Sequence, residues 1–170
     1  WYLVGLGKAN SNFLPKFMRE NALNASIELP DDGRFYRVDF NEGMDNLGMF
    51  WRMPTIQTFH SVVPGSIMEF YPTIGVERSV ASRPDNSHYA LRGLTSVRWL
   101  FDYENTEGLQ GGKDPVENAD KFFINNKTGT TKMPGWEYYD TQNGFKIYEN
   151  QYYVPMGFTY DAILSRTEYD

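Results

Sequence analysis

The sequence predicts an α+β domain: a mixed, mostly antiparallel sheet covered by a few short helices. Three observations carry this. Strand-like alternation dominates the readable periodicity, no regular succession of strand and helix runs along the chain, and Asn143-Gly144 sits between two aromatic-rich runs where a tight hairpin turn would place it. At 170 residues, 41% hydrophobic and 16% aromatic, the chain has the size and apolar surface of one ordinary domain. Residues 1–170 therefore read as a single soluble unit.

From the N-terminus, Phe13, Leu14, Phe17 and Met18 recur at helical spacing, with Ser11 or Asn12 as cap and Pro15 in the first turn, so a short helix is expected over residues 13–22. LPDDGR then supplies a turn, and residues 35–40 alternate Tyr36, Val38 and Phe40 with Arg37 and Asp39, the pattern of a strand with one wet face. Residues 41–52, with Gly43 and Gly48, are expected to be a loop, and residues 53–59 a short strand or extended run. Ser61 and Pro64 can open the next helix, Ser66 and Glu69 have capping-box spacing, and Ile67, Phe70 and Tyr71 share a face. Pro72 lacks the donor and clashes with the preceding turn, so this helix should stop near Tyr71.

A further helical turn is expected over residues 87–93, ended by Gly93. The clearest strand covers residues 96–103. Val97, Trp99, Phe101 and Tyr103 fall on one face and Ser96, Arg98 and Asp102 on the other, while Leu100 on the polar face places the strand inside the sheet. Residues 104–135 form a long polar, glycine-rich connection with room for a short strand at 121–124. A hairpin of residues 136–140 and 145–149 follows, then a short strand at 157–160 and the start of a helix.

Composition narrows the function. A net charge of -6 argues against nucleic acid and against docking on anionic lipid through a polybasic patch. The absence of cysteine removes disulfides, thiolate metal sites and thiol nucleophiles, and His60 and His88 alone cannot make a histidine-rich metal site. No apolar run approaches the ~20 residues of a membrane-spanning helix. The chain opens on Trp1 without a charged and apolar leader, which reads as a segment of a longer protein. No cofactor is implied.

The signatures of phosphate loops, paired-histidine metal sites and serine elbows are missing. His60 and Ser61 are adjacent, so on an extended segment they point apart and make a poor base and nucleophile; Ser61 reads better as a helix cap. Asp102, Glu137 and Asp161 are candidates for a two-carboxylate glycosidase site, against the plainer reading of solvated strand edges. Asn24-Ala25-Ser26 and Asn126-Lys127-Thr128 fit the glycosylation triplet, which chance supplies often. The sharper candidates are aromatic. Trp51 beside Arg52, and Trp136 with Tyr138 and Tyr139, can stack on the apolar face of a sugar ring with a polar neighbour at hand, and His60 joins them as a candidate ligand-binding residue. The competing reading puts strand aromatics in the core.

Four segments in order resemble the soluble C-terminal region of the bacterial YfhO membrane-protein family: FYRVDF at 35–40, PTIQTFHSVVPGSIMEFYPTIGV at 54–76, LRGLTSVRWLFDY at 91–103 and KIYENQYYVPMGFTYD at 146–161. The last departs from the family pattern, in which Leu-Pro usually precedes Gly-Phe, by carrying Val154-Pro155-Met156-Gly157-Phe158. The resemblance implies a polytopic membrane protein with a glycosyltransferase-C-like body that decorates cell-wall polymers with sugars from a lipid-linked donor. It places the catalytic carboxylate in an early external loop, so no catalytic residue transfers to this later, extracytoplasmic segment. The partners implied are the transmembrane portion of the same chain and a glycan or cell-wall polymer. Two other readings stay open: an independent secreted carbohydrate hydrolase, and a purely structural docking domain.

Overall fold

The computed structural model describes residues 21–23, 26–41, 46–57, 59, 62–77, 84–103, 123–125, 128–156, 159, 161–162 and 165–169. Its centre is a four-stranded mixed sheet in the order β1-β2-β4-β3. The strands are β1 (Arg37–Phe40), β2 (Val97–Tyr103), β3 (Trp136–Gln142) and β4 (Phe145–Asn150). β1 lies parallel to β2, and both the β2–β4 and β3–β4 pairs are antiparallel. The α+β class and the mostly antiparallel sheet expected from the sequence are both present.

β3 and β4 join through Asn143 and Gly144, whose φ angles of 51° and 77° are the two positive values a tight hairpin turn requires. Asn21 fastens this turn, donating from Nδ2 to the Asn143 carbonyl at 2.8 Å and accepting at its own carbonyl from Asn143 Nδ2.

Both faces of the sheet are covered. On the first, Phe40, Trp99, Phe101, Phe145 and Ile147 form a buried cluster, closed by the half-buried Trp51, whose ring meets Phe101 and Phe145 with centroids 5.1 Å from each. On the second, Val97, Leu100, Phe123, Met133, Trp136 and Tyr148 are buried together. Each such side chain contributes roughly 1.5–3 kcal/mol by leaving water.

Strict alternation would put Val97 with Trp99, but Val97 packs on the second face. Arg37 pairs with Val97 and Val38 with Trp99, so Arg98 is an extra residue on β2. This bulge turns the strand over locally, which simple alternation does not anticipate.

The helices are short. α1 (Leu47–Phe50) lies inside the stretch expected to be a loop; its Leu47 is buried against the first face, and the Cβ position of Gly48 lies only 3.0 Å from Thr55. Residues 53–57 run as an extended segment beside β1, with Val38 bridging Thr55. α2 (Gly65–Thr73) starts after Pro64 with no side-chain cap, so Ser66 and Glu69 lie within the helix and form no capping box. Its end comes just past Pro72. The Val76 N–H reaches the Tyr71 carbonyl and the Gly75 N–H that of Pro72, with Gly75 at φ 76°, a Schellman termination.

A 3-10 turn (Asn86–His88), capped by Asp85, leads into α3 (Tyr89–Leu94). Gly93 does not end α3 through a left-handed conformation; Ser96 takes that role at φ 64°. The reason for glycine at 93 is proximity, since an added Cβ would stand 2.6 Å from the Tyr152 carbonyl oxygen. Of the strand expected at 121–124, residues 121 and 122 lie outside the described residues, and Ile124 forms an isolated bridge to Thr131. α4 (Arg166–Tyr169) is the helix expected at the C-terminal end. The expected first helix falls outside the described residues except at Asn21 and Ala22, as does the expected strand at 157–160 except at Thr159.

Candidate functional site

The bulge at Arg98 builds the most organised polar feature on the first face. The extra residue brings its guanidinium over the Trp99 indole, 5.0 Å from the ring centroid, and 5.6 Å from the Tyr153 ring. Tyr139 lies against the same indole with centroids 4.9 Å apart. Tyr153, Arg98, Trp99 and Tyr139 therefore form one run of aromatic and guanidinium groups.

Carboxylates hold the guanidinium at its edges. Nε donates to Glu149 Oε1 at 2.9 Å and NH1 to Asp32 Oδ2 at 2.8 Å. Burial works against the Arg98 charge, but the bonds to Glu149 and Asp32 outweigh it and hold its pKa above the usual value. Asp32 comes from the PDDGR turn, where Gly33 stands at φ 74°; the Arg34 N–H bonds Asp32 Oδ1 at 3.1 Å. Tyr153 is seated by a bond from its hydroxyl to the Phe35 carbonyl, and the turn before it by Asn150, whose Nδ2 donates to the Val97 carbonyl at 2.9 Å.

Pairing across the sheet completes the surface. Trp99 faces Glu149 and Glu149 faces Glu137, so the three share one face over β2, β4 and β3. β3 carries its own bulge between Tyr138 and Asp140, which sets Tyr139 on this face while Tyr138 stays on the other, near Tyr148. Tyr139 is 42% and Tyr138 57% exposed, on a strand at the sheet's edge.

The residues singled out in the sequence are thus distributed rather than gathered. Trp51 is half-buried in the first core, with Nε1 bonded to the Asn21 carbonyl at 3.2 Å; Arg52 beside it is exposed, at φ 57°. Trp136 is 5% exposed and packs edge-on against Phe123 in the second core. Tyr138 and Tyr139 carry the exposed aromatic surface, one on each face. His60 lies outside the described residues, as does Ser61.

Among the carboxylates, Asp102 is buried on the second face, accepting from Asn41 Nδ2 at 2.7 Å and from the Phe123 N–H at 2.9 Å. Glu137 lies on the opposite face, and Asp161 is exposed. Arg98, Asp32, Glu149 and Tyr153 were not legible as a group, because bulges and loop returns bring them together.

The carboxylates titrate with opposite consequences. The Arg34 backbone N–H, then the Arg98 bond and charge, hold the Asp32 carboxyl below its ordinary range. Its stabilisation is complete above the unfolded value of about 3.9 and is lost as pH falls through the lower folded value. Burial pushes Asp102 up against the pull of its two hydrogen bonds, so its contribution is complete below about 3.9 and lost as pH rises through the folded value. Urea midpoints at pH 3 and 5 should rise less with pH in Asp32→Asn than in the parent chain; between pH 4 and 7, Asp102→Asn should shift the trend toward greater stability at pH 7. Parallel pH profiles for parent and variants would refute both assignments.

Fold and surface together define an α+β sheet domain with an aromatic and charged face. A family model described as bacterial membrane protein YfhO matches residues 8–170, and the chain belongs to that family. The match takes in all four segments on which the resemblance was drawn. No curated protein and no solved structure matches the chain. Among the described residues, no helix is long and apolar enough to cross a membrane.

Proposed function

We propose that this chain is an extracytoplasmic accessory domain of a YfhO-family membrane protein, holding an acceptor glycan or cell-wall polymer beside a glycosyltransferase-C-like transmembrane body and making no bond itself. Residues 1–170 act as one unit in this reading. Family membership supports the membrane context. The observation that carries glycan holding is the exposed pair Tyr138 and Tyr139 at the bulge of an edge strand, where the Tyr139 ring packs at a tilt against Trp99. Flat aromatic faces of restricted mobility bind the apolar side of sugar rings at small entropic cost.

Titration of the chain with soluble cell-wall polymer fragments, followed by calorimetry, tests the reading. Tyr138→Ala/Tyr139→Ala should abolish binding while the fold survives, the stability cost coming mainly from Tyr139, whose ring covers Trp99. Binding that survives the double substitution removes these tyrosines from the function.

A second reading, a secreted carbohydrate hydrolase, draws on Glu137 and Glu149, carboxylates that stand directly opposite each other on β3 and β4. Release of reducing ends by this chain, lost in Glu137→Gln, would establish it in place of the first.

A further inference from the structure

We propose that the sugar ring seats on Tyr139, on the face of the Arg98 stack, and that the unit recognised is a neutral hexose and not the charged backbone of an anionic polymer. This rests on the glycan-holding reading and assigns that role to one face, one ring and one ligand class.

The face is chosen by rigidity. Tyr139 is the outer member of a run whose inner members are fixed: Trp99 is fully buried, and Arg98 is held between Trp99 and Tyr153 and bonded to Asp32 and Glu149. Tyr138 is backed less closely, on the other face: its ring meets that of the buried Tyr148 only at 6.0 Å, and its hydroxyl bonds Thr141 at 3.0 Å. A platform that is already ordered loses less freedom when a ligand arrives.

Trp99, against which the Tyr139 ring packs with centroids 4.9 Å apart, is fully enclosed, so a sugar ring meets the outer side of Tyr139 and not the indole itself.

Charge chooses the ligand class. Glu137, Glu149 and Asp32 line this face, against Arg98 and Arg34. Arg98 is already committed to two carboxylates, and Arg34 to Asp32. Among the described residues, a phosphodiester at this face would meet carboxylates beside guanidiniums that are already paired, whereas carboxylates next to an aromatic plane accept hydrogen bonds from the hydroxyls of a neutral ring.

The test titrates the 170-residue chain with neutral oligosaccharides of glucose, galactose and mannose and, separately, with polyphosphate as the anionic probe, reading heat and tryptophan fluorescence. At least one neutral oligosaccharide should bind and polyphosphate should not. Tyr139→Ala should weaken that binding roughly fivefold or more, and Tyr138→Ala less than about twofold. Trp99→Phe, which keeps an aromatic plane but shrinks the backing of Tyr139, should weaken binding less than Tyr139→Ala, with its folded state checked by near-UV circular dichroism. Preference for polyphosphate, or loss of binding in Tyr138→Ala but not in Tyr139→Ala, overturns this inference and leaves the broader reading standing. Absence of binding to any probe and to cell-wall polymer fragments overturns both.

Discussion

Arg92→Leu is expected to destabilise the fold by about 3–5 kcal/mol, the usual result of removing one member of a buried ion pair. Arg92 and Asp39 are 3% and 0% exposed, with Nε 2.7 Å from Oδ2. The rest of the guanidinium is fully engaged: NH2 donates to the Pro84 carbonyl at 2.7 Å, and NH1 to those of Asp85 and His88. Leucine would leave Asp39 in the interior with only the Phe40 N–H on its other oxygen, and would take the guanidinium donors from the carbonyls of Pro84, Asp85 and His88, of which Asp85 keeps the His88 N–H.

This one side chain fastens β1 to α3 and to the turn whose His88 ring bonds the Ile74 carbonyl behind α2. Its removal should therefore loosen residues 74–77 and 84–88 as well as lower the global midpoint. Amide exchange reads the first quantity and urea denaturation the second. Asp39→Asn/Arg92→Leu should recover much of the loss, because the isolated charge is gone. A single variant within about 1 kcal/mol of the parent would mean that the pair is not desolvated as its burial indicates.

What could be foreseen from the sequence separates by the range of the forces involved. The Asn143-Gly144 hairpin, the Asp31–Gly33 turn and the core strand at 97–103 rest on local chemistry: positive φ, side-chain-to-backbone bonds within two residues, and alternation. α1 was hidden because glycine-rich composition reads as a loop, while the reason for Gly48 is the approach of Thr55, a tertiary contact. Gly93 misled in the same way, being placed by Tyr152 from across the chain.

The candidate site was the least legible part. Alternation sends Arg98 away from Trp99, and a bulge reverses this. Its carboxylate partners lie 66 and 51 residues away in sequence. Tyr139 was in view as an exposed aromatic, but its backing was not, and Asp39, read as the polar face of a strand, carries the most deeply buried charge.

Trp136→Ala separates the two readings of an aromatic residue that the sequence left open. Trp136 is 5% exposed, in edge-on contact with Phe123 at 5.9 Å, and Phe123 in turn meets Tyr148 at 5.0 Å. Truncation opens a cavity beside the rings of Phe123 and Tyr148 that the sheet's hydrogen bonds prevent from closing, so the expected cost is about 3–5 kcal/mol. Tyr138, two residues along on the same face and 57% exposed, should cost about 0.5 kcal/mol or less when truncated. Loss of glycan affinity in Trp136→Ala would then follow the unfolded fraction, recovering where cooling or a stabilising osmolyte restores the fold. If Trp136→Ala instead keeps the parent's denaturation midpoint and still loses the ligand, its indole touches sugar directly, and the second face of the sheet takes the role assigned to Tyr139 on the first.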